Sequence, residues 1–140
     1  MRPKTLSKDQ VHVSKVILHV LKEFEKRGEK FDIVTMLMPT SPLRRSTHII
    51  DAHKLFLTEN ADSLVSLTKL NKLKTNLRFL EKEHKMKYLF KTIPRNVSRQ
   101  SQKELYAVNG SIFISTVSSF KKNKTFHIKD CIGFEMPFID

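Results

Sequence analysis

The sequence has few of the residues that would indicate several common classes of protein. Cys131 is the only cysteine, so no disulfide can form within the chain, and we expect a reducing, cytoplasmic location. There is no tryptophan, and the three glycines form no phosphate-binding loop of the Walker or dinucleotide type. The apolar runs are much shorter than the roughly 20 residues that span a bilayer, so we expect no membrane contact.

The composition that remains is typical of one globular domain covering residues 1–140. Hydrophobic residues make up 39% of the chain, which is enough for a core at this length. The net charge is +12, from 26 basic and 14 acidic residues. This balance favours anionic partners such as nucleotides, nucleic acids or acidic sugars. A lysine-rich composition without any binding site would give the same charge.

The apolar pattern alternates between helical and strand-like segments. Ser7 could cap a helix whose apolar residues recur at helical spacing over 13–24. The nearly continuous apolar run FDIVTMLM at 31–38 predicts a buried strand. A helix at 47–58 and a strand at 62–67 follow. This order predicts an α/β fold with a parallel sheet and right-handed crossovers.

The second half of the chain is less regular. Residues 69–103 are rich in lysine and contain short apolar pieces. They are interpreted as a hairpin-like excursion from the main sheet, with a flexible loop as the alternative. A strand at 110–115, a short helix at 117–122 and a last strand at 131–135 complete the pattern.

The loop after the first strand carries the best candidates for ligand binding. Pro39 ends the strand, and Thr40 and Ser41 then offer hydroxyl groups. Arg44 or Arg45 offers a guanidinium fork for phosphate or carboxylate. Ligands of open α/β sheets bind outside the carboxyl ends of the strands, where this loop lies. A turn that caps the next helix would explain the same residues.

The six histidines predict no metal site. His48 and His53 fall on different faces of one helix. His12 and His19 could share a face, but no carboxylate or cysteine completes the set. We interpret all six as packing or surface residues, and Cys131 as a core residue.

Five segments stand in a distinctive order along the chain. They are RPKTLSKD at 2–9, MPTSPLR at 38–44, ADSLVSL at 61–67, RQ at 99–100 with YAVNGSIFI at 106–114, and FEMP at 134–137. In this order they resemble the motifs of the acylneuraminate cytidylyltransferases, the CMP-sialic acid synthetase family, over nearly the whole chain. The resemblance implies a three-layer, mostly parallel, Rossmann-like nucleotide-diphospho-sugar transferase fold.

The resemblance also implies a reaction and a set of partners. Such an enzyme joins CTP to a nine-carbon α-keto acid sugar and releases pyrophosphate, with Mg²⁺ offsetting the phosphate charge. Arg2, Thr40 and Ser41 match residues on the nucleotide side. The residues that match the sugar side are Met38, Arg99, Asn109, Gly110, Phe113 and Phe126. The family is typically homodimeric, and residues 69–103 match its dimer-forming excursion.

Several positions depart from the family pattern. Met38 replaces a glutamine that commonly meets the sugar, which leaves open whether the sugar is sialic acid or a relative such as legionaminic acid. Phe113 stands where tyrosine is usual. The family's glycine- and lysine-rich triphosphate loop and its metal-binding aspartate pair have no counterpart, and Asp140 aligns just before that pair. We therefore expect a chain truncated at both ends, inactive alone and without metal ligands of its own.

Two alternatives to a truncated enzyme remain at this stage. One is a non-catalytic remnant that binds nucleotide or sugar acid, or that pairs with a full-length homologue. The other is a basic nucleic-acid-binding domain, which only the charge of +12 supports. We rank it last because the sequence has no helix-turn-helix, zinc-finger or base-stacking motif.

Overall fold

The computed structural model describes residue 3 and residues 11–71, 77–90 and 103–137. The helices in these ranges are α1 (Val13–Lys26), α2 (Ser46–Thr58) and α3 (Val117–Asn123). The strands are β1 (Ile33–Leu37), β2 (Ser63–Leu70), β3 (Arg78–Leu80), β4 (Met86–Tyr88), β5 (Leu105–Thr116) and β6 (Ile132–Met136). A short 3-10 helix covers Lys82–His84.

Four strands form a mixed sheet in the order β1-β5-β2-β6. Strand β5 runs antiparallel to β1, with Ile33 opposite Thr116 and Leu37 opposite Ile112. The predicted α/β class is confirmed. The sheet is mixed, however, rather than mostly parallel, because β5 lies inside it and opposes β1. The apolar pattern could not reveal this, since a strand has the same periodicity in either direction.

Strands β3 and β4 form a separate two-stranded antiparallel sheet, in which Arg78 lies opposite Tyr88 and Leu80 opposite Met86. Both strands fall within the excursion predicted at 69–103, and its dimer-forming role stays a prediction. The chain divides into two compact units. Unit 1 contains Met1–Ser66 and Gly110–Phe134, and unit 2 contains Leu67–Asn109 and Glu135–Asp140. The expectation of a single domain over 1–140 also stays a prediction.

The core of unit 1 is built from the three helices, the first half of β2, the second half of β5 and the loop after α3. Its buried apolar residues are Leu21, Ala52, Phe56, Leu64, Val65, Ile112, Phe113, Ile114, Val117, Phe120 and Phe126. Buried serines join the strands beneath this core. Ser63 donates its hydroxyl to the carbonyls of Ile114 and Phe126, and Ser66 Oγ accepts the Ile112 N–H at 2.8 Å. These bonds satisfy polar groups that water cannot reach.

Helix α1 begins later than the sequence suggested. His12 occupies the position before its first residue, and the His12 ring nitrogen Nδ1 accepts the Ser14 N–H at 3.3 Å. Ser7, the predicted cap, therefore precedes the helix by several residues, and it lies outside the described residues. Val13 and Val20 of the predicted apolar stripe are exposed. No helix in the described ranges has both the length and the apolar character that crossing a membrane requires.

Candidate functional site

The loop 38–45 connects the end of β1 to the start of α2. A turn closes its second half, because the Arg44 N–H donates to the Ser41 carbonyl at 3.2 Å. Thr40 is exposed and Ser41 is half-buried. Neither hydroxyl makes a hydrogen bond with another residue in the described part of the chain. Both groups are therefore available to a ligand at the carboxyl end of β1.

Arg44 connects this loop to the sheet. Its Nη1 atom donates to the Met38 carbonyl and to the Ser111 carbonyl, each at 2.9 Å. The side chain is half-buried. We predicted that the guanidinium of Arg44 or Arg45 binds an anion, but the Nη1 atom of Arg44 donates to main-chain carbonyls instead. Sequence spacing could not reveal the bond, because Ser111 lies 67 residues away.

Arg45 has a different environment from its neighbour. Its side chain is exposed, and its main-chain N–H donates to His48 Nδ1 at 3.2 Å at the start of α2. The histidine ring thus supplies a local acceptor, a role that the sequence did not suggest for His48. Of the two arginines, Arg45 is the more exposed.

Gly110 marks a local change of direction inside β5. Its φ is +74°, in the left-handed region that residues with a side chain rarely adopt. A Cβ at this position would meet nothing within 4 Å, so the backbone conformation and not the space favours glycine. The next residue, Ser111, supplies the carbonyl that Arg44 binds. The conformation of Gly110 therefore helps to determine where that carbonyl lies.

Asn109, the residue before this glycine, belongs to unit 2. Its side-chain amide donates to Thr68 Oγ1 at 2.9 Å, and it is half-buried. This bond joins β5 to β2 within unit 2. The predicted contact of Asn109 with a sugar stays a prediction.

Phe113 and Phe126 both lie in the core of unit 1. Their ring centroids are 5.5 Å apart, and Phe126 lies 4.7 Å from Phe120. Only 8% of Phe113 and 5% of Phe126 is exposed. The hydroxyl that a tyrosine would carry at position 113 would need a hydrogen-bond partner at this depth, and phenylalanine removes that need. Their predicted role beside a sugar stays a prediction.

The structure brings only part of the predicted site together. Met38 is half-buried at the start of the loop. Its carbonyl and the Ser111 carbonyl, both in unit 1, accept hydrogen bonds from the same nitrogen of Arg44. Arg2, Arg99 and Asp140 lie outside the described residues. No group of three or more histidine, cysteine, aspartate or glutamate residues in the described ranges could hold a metal ion.

Other titratable groups of the described residues are held by burial or by neighbouring polar groups. Burial raises the pKa of the Cys131 thiol, which keeps it neutral. His53 Nε2 lies 3.0 Å from Thr35 Oγ1, between α2 and β1. In unit 2, a hydrogen bond from Lys69 holds the pKa of Glu104 below its usual value. None of these groups belongs to the loop 38–45.

Comparison with known proteins tests the family resemblance that the motifs predict. No family model matches it. It is 33% identical over 137 residues to the N-acylneuraminate cytidylyltransferase of Escherichia coli O18:K1:H7, a match that covers 97% of this chain and 31% of that protein. The chain is a relative of the N-acylneuraminate cytidylyltransferases. The resemblance predicted from its motifs is confirmed.

Two further cytidylyltransferase relatives support the same conclusion. The N-acylneuraminate cytidylyltransferase of Streptococcus agalactiae serotype V is 28% identical over 138 residues, covering 97% of this chain and 32% of that protein. The CMP-N,N'-diacetyllegionaminic acid synthase of Legionella pneumophila is 26% identical over 132 residues, covering 91% and 54%. The chain thus spans about a third of the length of the two cytidylyltransferases and about half that of the synthase.

Proposed function

We propose that the chain forms part of a cytidylyltransferase that joins CTP to a nine-carbon α-keto acid sugar and releases pyrophosphate. The observation that carries this proposal is sequence similarity along 97% of the chain to two N-acylneuraminate cytidylyltransferases. The loop 38–45 supports it, because hydroxyls at the carboxyl end of a strand are well placed for a nucleotide. The net charge of +12 favours an anionic substrate.

In this reaction the chain's own residues bind and orient the substrates. The anomeric hydroxyl of the sugar attacks the α-phosphate of CTP, and pyrophosphate leaves. Thr40 and Ser41 would donate hydrogen bonds to the nucleotide. Arg2 would border the cytosine and Arg99 would meet the sugar carboxylate, as the family resemblance implies. Holding the two reactants in line supplies a large share of the acceleration in such reactions.

Position 38 bears on the choice of sugar. A methionine side chain offers a weak acceptor and no donor, whereas glutamine offers two donors and an acceptor. We propose that Met38 disfavours a sugar whose recognition needs that donor. The substrate would then be a relative of sialic acid such as legionaminic acid. The similarity to a CMP-N,N'-diacetyllegionaminic acid synthase agrees with this choice.

Nucleotide binding by the purified chain tests the proposal. Calorimetric titration with CTP, UTP and ATP should show that CTP binds most tightly. Adding sialic acid or legionaminic acid should yield little CMP-sugar. Equal binding of the three nucleotides would contradict it, as would tight binding of DNA with a steep salt dependence. Reading the DNA on both sides of the frame decides the next step. A continuous frame allows pyrophosphate release to be measured on the longer protein with sialic and legionaminic acid.

A second candidate function is association with another chain, favoured by the exposed side chains of β3 and β4. Leu80 is 72% exposed and Met86 opposite it is 76% exposed, and Phe79 is 52% exposed. Leu80 and Met86 lie side by side on one face of the pair, and Phe79 lies on the other, since successive residues of a strand alternate. Exposed apolar residues of this kind mark interaction surfaces. We propose that this pair of strands forms a homodimer, or pairs with a full-length relative.

Sedimentation of a double variant tests the association. Leu80→Lys with Met86→Lys should convert a dimer to a monomer, because both charges would be buried in the interface. Ile50→Lys with Leu57→Lys is the matched control, since these residues of α2 are also exposed. Equal effects of the two double variants would show that the β3–β4 surface has no special role. A monomeric parent chain would exclude the homodimer.

A further inference from the structure

Arg44 holds both ends of the loop 38–45 with a single side chain. The Met38 carbonyl, at the start of the loop, accepts from Nη1 at 2.9 Å. The main-chain N–H of Arg44 itself donates to Ser41 at 3.2 Å. A charged donor forms stronger hydrogen bonds than a neutral one, and partial burial reduces competition from water. The loop is therefore closed on itself by the residue near its end.

The same nitrogen also attaches this closed loop to β5. The Ser111 carbonyl accepts from Nη1 at 2.9 Å, directly after the residue whose φ is +74°. The loop and the segment Gly110–Ser111 are distant in sequence and share one donor. A shift of either segment would lengthen at least one of the two bonds. Arg44 thus makes the position of the loop depend on the conformation of β5.

We propose that Arg44 is a positioning residue, which fixes the loop 38–45 to β5 through main-chain carbonyls so that Thr40 and Ser41 are presented in one arrangement. The role of the loop toward CTP rests on the proposed function, whereas the ordering of the loop does not. A loop that is already ordered loses less conformational entropy when it binds a ligand. Arg44 thereby increases affinity without touching the ligand.

The neighbouring residue supplies a matched control. Arg45 carries the same charge one position later, but its side chain is exposed and only its main-chain N–H makes a bond, with His48. Any effect of removing positive charge near the loop is common to both arginines. An effect of removing the link between Met38 and Ser111 belongs to Arg44 alone.

Amide hydrogen exchange without ligand is the first test. In the 140-residue chain, Arg44→Gln should increase exchange across 40–45 and at Ser111 by about tenfold, as expected for the loss of charge-assisted bonds. Arg44→Lys should give a smaller increase, and Arg45→Gln should leave this exchange unchanged. Equal exchange in Arg44→Gln and Arg45→Gln would overturn the inference. If Arg44→Gln does not fold, the comparison of Arg44→Lys with Arg45→Lys decides in the same way.

Titration with CTP is the second test. Arg44→Lys keeps the positive charge, but a single ammonium does not reproduce the planar arginine geometry. We expect CTP affinity to fall several-fold in Arg44→Lys and about tenfold in Arg44→Gln, with the salt dependence of Arg44→Gln equal to that of Arg45→Gln. A clearly lower salt dependence in Arg44→Gln than in Arg45→Gln would mean direct contact with phosphate and would overturn positioning. If the parent chain binds no CTP, the proposed function fails, and hydrogen exchange alone decides the role of Arg44.

Discussion

The loop 38–45 of unit 1 and the β3–β4 pair of unit 2 are both exposed, but they differ in which side chains they expose and in how these are held. The loop places its exposed groups around one half-buried arginine that binds main-chain carbonyls. The β3–β4 pair leaves Leu80 and Met86 open to solvent. The first arrangement fixes polar groups in one geometry, as a small ligand requires. The second offers exposed apolar area, which is suited to an interface between chains.

The largest contrast between the two units is expected from two phenylalanines, one in each unit. Phe120→Ala should lower the free energy of unfolding by about 3–5 kcal/mol, because Phe120 of α3 is fully buried against Phe126. Phe79→Ala in β3 should change it by less than about 1 kcal/mol, because this residue is more than half exposed. Urea denaturation of both variants measures the difference. Similar losses would show that Phe79 is buried by a partner in solution.

A smaller effect is expected at the glycine inside β5. Gly110→Ala should cost about 1–2 kcal/mol of stability, because alanine is strained at a φ of +74°. Gly133 of β6 is the control, since it is exposed and is not among the glycines with positive φ. We expect Gly133→Ala to change stability by a few tenths of a kcal/mol. A neutral Gly110→Ala in urea denaturation would mean that β5 adopts a different backbone there.

A double-mutant cycle sharpens the connection between Gly110 and Arg44. The backbone conformation of Gly110 helps to place the Ser111 carbonyl, and Arg44 binds that carbonyl. The stability losses of Gly110→Ala and Arg44→Gln should therefore be non-additive by about 0.5–1 kcal/mol. The matched cycle of Gly110→Ala with Arg45→Gln should be additive. Thermal or urea denaturation of the variants gives both coupling energies. Additivity in the Arg44 cycle would show that the loop and β5 are not energetically coupled.

The smallest effect on stability concerns an exposed polar cluster of unit 2. The Tyr106 hydroxyl donates to Glu104 at 3.0 Å, and this bond raises the pKa of Tyr106 to about 12, above the ordinary value of 10.0. A folded-state pKa above the unfolded one means that the contribution to stability is complete below pH 10 and is lost as the pH rises to about 12. Absorbance of the phenolate follows the titration.

Two variants make this titration specific. Tyr106→Phe identifies the step that belongs to Tyr106. Glu104→Gln should return the pKa of Tyr106 toward 10, because the amide no longer carries the charge that opposes ionisation. No change in the titration of Glu104→Gln would show that the bond does not form in solution.

The sequence predicted the helices of the fold better than the direction and length of β5. The helix expected at 47–58 is α2, and the short helix expected at 117–122 is α3, because apolar spacing reports directly on a helix that covers a core. The strand was predicted to begin at 110, where the apolar pattern of GSIFIS starts. Instead β5 begins at Leu105 and continues through Gly110 at positive φ. The exposed first half of β5 carries no such pattern that would reveal it as a strand.

The sequence could predict the candidate site only where the residues lie next to the end of a predicted strand. The hydroxyls of Thr40 and Ser41 were expected after the first strand, and they lie in the loop at the end of β1. The partners of Arg44 could not be predicted, because phosphate and main-chain carbonyls are both suitable acceptors for a guanidinium. The predicted roles of Arg2 and Arg99 stay predictions. Tertiary contacts decided what local sequence left open.

The choice of main-chain acceptors by Arg44 has a consequence for how such a loop can diverge. Every residue type supplies the same carbonyl, so the bonds to positions 38 and 111 place no demand on the side chains there. Methionine or glutamine at position 38 can accept the same bond from Arg44. The side chain at that position can therefore change in a single substitution while the shape of the loop is inherited intact.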